Sequence, residues 1–283
     1  MDSSVVVPKW RKITFYVIAG LLLLMIVGLL FPLLAFVVLA WLPVDTWQAL
    51  FPGEDINATD VVHRIHELSF SLIFWGLAIG IGLQLWKPER RQAPMLQAFA
   101  VIAAFFVVDL VSGSFDPEAV PIMVGVVLLV LLHPARRSLY RFNRPDMTMT
   151  GLAILAAIPG AFFILDHIDL QRLDVPGDPH VEFGHWSAMA VFATLIVLWG
   201  LIGSTDRTGW RVTAWLAGIS AAAYGLASLV FPLVASASST GWAIAALAWG
   251  VAFVALTERR ARSRSAQSVD APSGAVEEGD ESA

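Results

Sequence analysis

Residues 60–91 read DVVHRIHELSFSLIFWGLAIGIGLQLWKPERR, and this stretch decides the fold. Between Glu67 and Lys87 no charged residue occurs. A helix rising 1.5 Å per residue needs about 20 mostly apolar residues to cross a bilayer core of about 30 Å. The stretch therefore predicts a spanning helix over 62–86. Its two ends differ: His63, Arg64, His66 and Glu67 stand at one, Lys87, Arg90 and Arg91 at the other.

The same pattern recurs outward from this point. Apolar runs at 13–41, 93–112, 118–133, 148–165, 182–203, 210–231 and 240–257 bring the expected number of spans to eight. The first is long enough to tilt or to bend at Pro32, and the fourth is the shortest. Composition agrees, with 57% hydrophobic and 14% charged residues and a mean hydropathy of +0.72, where a soluble domain carries about 25% charged residues. Trp41, Trp186 and Trp242 at one level and Trp10, Trp86, Trp199 and Trp210 at the other read as aromatic belts. The fold class is an all-α integral membrane protein. The first run exceeds the apolar core of a cleavable signal peptide and lacks a small-x-small exit site, so it is expected to stay as a helix.

Orientation follows from the basic residues. With the N-terminus inside, the inner segments hold 16 of the 18 Lys and Arg, leaving Arg64 and Arg172 outside. The formal charge of −5 then divides into +6 inside and −11 outside. The expected topology is N-in and C-in, in the cytoplasmic membrane. Residues 1–12 form an inner N-terminus, 13–145 and 146–258 two four-helix halves, and 259–283 an acidic, Ser- and Gly-rich disordered tail. Hints of parallel repeats support the halves: Pro32 and Pro159 precede similar apolar runs, and His63-x-x-His66 stands where Glu182-x-x-His185 stands.

Ionisable residues inside spans cost about 2.5–3.5 kcal/mol each at a helix centre, so their placement is informative. They gather at the outer ends, with five of the six His. His63, His66 and Glu67 share a helical face, Glu182 and His185 share another, and Asp109 is embedded three residues inside the outer end of the third span. Arg64 has Asp60, Glu67 and Asp109 as candidate carboxylate partners. Three readings stay open. The residues tie helix ends together; or His63, His66, Glu67, Asp109, Glu182 and His185 supply ligands to a divalent transition metal; or His63 or His66 and His185 are axial ligands of a haem. The metal reading requires the second and sixth spans to be neighbours. His133, the sixth His, reads as an inner interfacial residue at a helix end.

The run Asp60-Val61-Val62-His63-Arg64 resembles the acid-x-x-His-Arg signature at the outer start of the second helix in haem A synthases, eight-helix proteins built of two four-helix halves. The resemblance implies Asp60 beside the reacting porphyrin, His63 as a haem ligand and His185 as its counterpart. That family also places His in its fourth and eighth helices; here the eighth has none, and His133 lies at the inner end.

Other chemistries are excluded or disfavoured. There is no Cys, which removes disulfides, thiolate ligands and iron–sulfur clusters. Lys occurs at inner ends alone, so a retinal Schiff base has no amine. His66-Glu67-Leu68-Ser69-Phe70 starts like HExxH but ends in Phe. Walker A, GxSxG and GxGxxG motifs are absent. Gly76-x-x-x-Gly80, with Gly82, suggests close helix packing. The expected function is a multi-pass membrane protein with an outer His and carboxylate cluster holding haem or a transition metal for a redox role. The alternative is a non-catalytic transporter or structural protein whose cluster serves packing or proton coupling. The expected partners are the lipid bilayer and further membrane proteins or a second copy, and no nucleic acid. No catalytic residue is assigned.

Overall fold

The computed structural model describes residues 7–29, 31–43, 45, 46, 49, 63–173 and 175–269. Asp60, the Pro52-Gly53 loop and the acidic tail beyond Val269 lie outside the described residues. The principal helices are α1 (Lys9–Leu29), α2 (Phe31–Leu39), α3 (Arg64–Gly82), α4 (Gln92–Ser112), α5 (Val120–Leu132), α6 (Met147–Arg172), α7 (His185–Ser204), α8 (Trp210–Val230) and α9 (Thr240–Val269). The fold is all-α. Among the described residues, seven helices are long and apolar enough to cross a membrane, and Pro117–Leu132 is a shorter apolar one. The expected count of eight spans is not reached among the described residues: the fourth expected span, 118–133, corresponds to that shorter helix.

Local sequence sets the helix ends. The first apolar run divides into α1 and α2, and Pro32 falls in the first turn of α2, where a missing N–H costs least. Side chains of α3 complete the backbone of α2: Ser71 Oγ accepts from Val37 N at 2.9 Å, and Ser71 Oγ and Trp75 Nε1 both donate to Leu34 O. Without water in a bilayer core, such groups must be satisfied within the protein. Asp146 caps α6 by accepting from Met149 N at 3.0 Å. α9 runs through the basic stretch Arg259–Arg264 to Val269, well past its apolar window.

α3, α4, α7 and α8 form the interior, with 56–67% of their apolar windows buried, against 11–22% for α1, α6 and α9. The outer helices so present apolar faces to their surroundings, as a bilayer requires. In sequence order, α2 packs on α3, α3 on α4 and α4 on α5, with α1 closing on α5. The later helices repeat this: α6 on α7, α7 on α8, α8 on α9, with α6 meeting α9. The two sets join chiefly where α7 meets α4 and α3.

Small residues set the closest approaches. A Cβ on Gly76 would stand 2.6 Å from the Trp199 ring, and one on Gly80 2.8 Å from Pro94 O, so these two glycines serve different neighbours, α7 and α4. The tightest seam lies between α8 and α9, where a Cβ on Gly225 would meet Ala243 O and Leu247 N at 2.5 Å.

The basic segments assemble at one end of the bundle, the inner end of the sequence reading. Arg11 donates to the carbonyls of Leu132 (3.1 Å) and His133 (2.6 Å), Arg207 to those of Ser138 and Arg141, and Arg260 pairs with Asp206 at 2.6 Å. The opposite, outer end collects His63, His167, His180, His185 and the loop 231–239.

Candidate functional site

His63 stands at the N-cap of α3, where its carbonyl accepts from Glu67 N at 2.9 Å. His66, one turn further, is fully buried at 0% exposure. His185 opens α7 directly after Gly184, whose φ of +64° turns the chain into the helix. His180 sits in the single turn Pro179–Glu182, and His167 near the outer end of α6.

These elements bring four imidazoles into one cluster. Ring centroids lie 4.6 Å apart for His63–His180, 4.8 Å for His63–His185, 5.1 Å for His66–His180 and 5.2 Å for His66–His185. The remaining pairs, His63–His66 and His180–His185, stand at 6.0 and 5.8 Å. The required neighbourhood of the second and sixth spans, α3 and α7, therefore exists. Aromatic rings enclose the group: Trp186 stacks on His180 at 4.7 Å and meets His66 edge-on at 5.3 Å, while Phe70 and Phe183 flank His185.

The hydrogen bonds are unequal within each ring. His66 Nε2 is 2.8 Å from Ser236 Oγ, whereas His66 Nδ1 is buried with no hydrogen-bond partner. His180 Nδ1 donates to Asp178 Oδ1 at 2.9 Å, whereas its Nε2 is buried and unpartnered, as is His185 Nδ1. Ser236 Oγ is also 2.8 Å from His167 Nε2, and His167 Nδ1 is 2.8 Å from Phe163 O. Burial would raise the Asp178 carboxyl, but the side-chain and backbone N–H of His180 outweigh it and hold the group below the usual carboxylate range.

The expected site residues divide. His63, His66 and His185 come together, and Glu67 is half-buried on the same turn as His66. Asp109 is buried, but its carboxylate accepts from Ser114 Oγ at 3.4 Å in the closing turn of α4. Glu182 is exposed: the left-handed Gly184 separates it from α7, so it does not share the face of His185. Arg64 donates to Ala40 O at 3.3 Å and lies 4.7 Å from the Phe231 ring, in place of the expected carboxylate partners Glu67 and Asp109. Sequence reading placed His167 and His180 at the outer ends and Trp186 in the outer belt without naming them as site residues, and did not single out Ser236. Its one available signal was the crowding of five of six His at the outer ends.

Among the described residues, no group of three or more His, Asp or Glu side chains is placed, as it stands, to hold a metal ion. A haem fits still less well. Two axial imidazoles bonded at about 2 Å from opposite sides would hold their centroids about 6 Å apart with a macrocycle between them. His185 lies 4.8 and 5.2 Å from His63 and His66, and the rings of His180 and Trp186 crowd the same space.

At the inner end, His133 is buried with both nitrogens paired, Nε2 to Gln84 Oε1 at 3.2 Å and Nδ1 to Ala135 N at 3.1 Å. Burial pushes its pKa down to about 4.

Comparison with protein-family models, curated proteins and solved structures gives no match.

Proposed function

We propose that the chain is an eight-span protein of the cytoplasmic membrane, with both ends inside, that binds one transition-metal ion at its outer face through His63, His66, His180 and His185. The observation that carries this reading is the juxtaposition of four imidazoles, three of which (His66, His180 and His185) keep a buried nitrogen without a hydrogen-bond partner. An unpaired buried polar atom costs about 1–3 kcal/mol, and coordination would recover it. Four imidazoles bonded at about 2 Å to one tetrahedral ion place their centroids about 5 Å apart. The observed separations, 4.6–6.0 Å, span that value, and because no group is placed to hold an ion as it stands, the imidazoles would have to reorient to bind one. A bound ion would neutralise the lone pairs and tie the outer ends of α3 and α7 to the 179–182 turn. Four nitrogen ligands leave no open position for substrate, which favours a fixed structural or electron-transfer ion over a hydrolytic one. The repeated pairing order of the helices supports two four-helix halves, whose meeting helices α3 and α7 carry the ligands.

A second reading is a packing network without an ion. The bridge from His66 through Ser236 to His167 favours it, since it already links α3, α6 and the 231–239 loop. Elemental analysis of protein purified in detergent decides between them. The metal reading expects about one Zn, Cu or Co per chain after loading and dialysis, and loss of that ion in His66→Ala and His185→Ala. A chain that takes up none of the three is a packing network.

A further inference from the structure

We infer that Ser236 and His167 act together as a positioning relay that holds the proton of His66 on Nε2 and leaves its Nδ1 as a lone pair for the cluster. The inference rests on the metal reading above. Hydrogen-bond direction supplies the argument, starting from a group that can only accept. The Phe163 carbonyl, 2.8 Å from His167 Nδ1, requires the proton of the neutral ring to sit on that nitrogen. His167 Nε2 then holds a lone pair, so the Ser236 hydroxyl, 2.8 Å away, donates to it. The single Ser proton being committed, the oxygen accepts from His66, whose Nε2 at 2.8 Å carries the proton. His66 Nδ1 is thereby left as a bare lone pair, and it is the buried nitrogen without a partner.

The same logic acts independently on a second ring. The Asp178 carboxylate accepts from His180 Nδ1, leaving the unpartnered His180 Nε2 as the lone pair. Imidazoles that bind metals commonly donate their other N–H to a carboxylate, carbonyl or hydroxyl, which fixes tautomer and ring orientation. Ser236 is held for this task at a backbone cost. Its φ of +61° lies in the left-handed region, which non-glycine residues seldom adopt, and Tyr224 Oη secures its carbonyl at 3.0 Å. His167 is held flat by Phe163, with ring centroids 3.9 Å apart.

The test uses the full-length chain in detergent micelles with Zn(II) as the probe. In the zinc-free wild type, 15N spectra of labelled His should show His66 protonated on Nε2, and a His66 protonated on Nδ1 overturns the relay. His167→Leu and Ser236→Ala should each weaken zinc binding about tenfold or more while stoichiometry stays near one. His167→Gln, whose amide oxygen still accepts from Ser236, should restore affinity to within about threefold of wild type, an outcome a merely space-filling role would not give. Wild-type zinc affinity in both His167→Leu and Ser236→Ala removes the relay and leaves the metal reading intact. A wild-type chain that binds no zinc removes the metal reading, and this inference with it.

Discussion

The inner end of the bundle pairs both nitrogens of its histidine, whereas the outer end does so for His167 and not for the clustered His66 and His180. At the inner end His133 has both nitrogens paired, and Arg11 beside it ends on the carbonyls of Leu132 and His133. At the outer end His66 and His180 each have one nitrogen paired and one buried without a partner. The difference teaches where chemistry is to be sought. A fully paired buried histidine has no lone pair left to offer a ligand, whereas a half-paired one holds a lone pair that folding alone leaves unused.

The largest expected effect tests that contrast directly. The double variant His66→Ala/His185→Ala should lower zinc affinity at least about 100-fold, as expected when two of four ligands go. His133→Ala should leave zinc affinity unchanged and lower thermal stability instead. If both variants lose zinc alike, the distinction between the ends fails.

Next in size is Gly225→Ala in the α8–α9 seam. The added Cβ would meet backbone atoms 2.5 Å away, which cannot swing aside, so stability in detergent should fall by about 1–3 kcal/mol. Zinc affinity should fall far less than in the ligand variant, because no proposed ligand lies on α8 or α9 and Tyr224 of α8 reaches the cluster only through the Ser236 carbonyl. A coupled loss of zinc would mean that the outer cluster depends on that seam.

A smaller effect is expected from Gln84→Leu. Gln84 accepts from His133 and donates to Gly80 O and Arg91 O, so the change strands a buried imidazole N–H and should cost about 1–2 kcal/mol. A neutral result would show that the inner pairing of His133 contributes little.

The smallest effect is a pH dependence from the inner end. His133 folds neutral with its pKa near 4, below the unfolded value of 6.5. The unfolded chain therefore binds the extra proton between these values, and stability rises with pH across that window. The contribution is complete above about pH 6.5 and is lost as pH falls toward 4. Comparing thermal melts of wild type and His133→Gln from pH 4 to 7 should show a shallower acid loss in the variant; parallel curves would contradict it.

Reading from sequence succeeded where one residue's neighbours are its own helical turns. Uncharged length between Glu67 and Lys87 identified α3, and the i, i+3 spacing of His63 and His66 placed both at its outer end. It failed where the chain changes direction. Glu182 and His185 have helical spacing, yet a left-handed Gly184 sends one to the surface and the other into the cluster. His180, five residues before His185, has no helical relation to it, and the turn at 179–182 brings the two rings to 5.8 Å. Ser236 and His167 come from separate segments, so no spacing could join them to His66.

The sequence by itself determined the helices, because a bilayer admits few ways to satisfy a backbone and writes the choice as apolar length. It also determined which end carries the histidines, since basic residues mark the opposite one. The tertiary structure alone decided which polar atoms meet. Hydrogen bonds and ligand geometry act over about 3 Å or less, a scale fixed by how α3, α6, α7 and the loop at Ser236 come together rather than by any single segment.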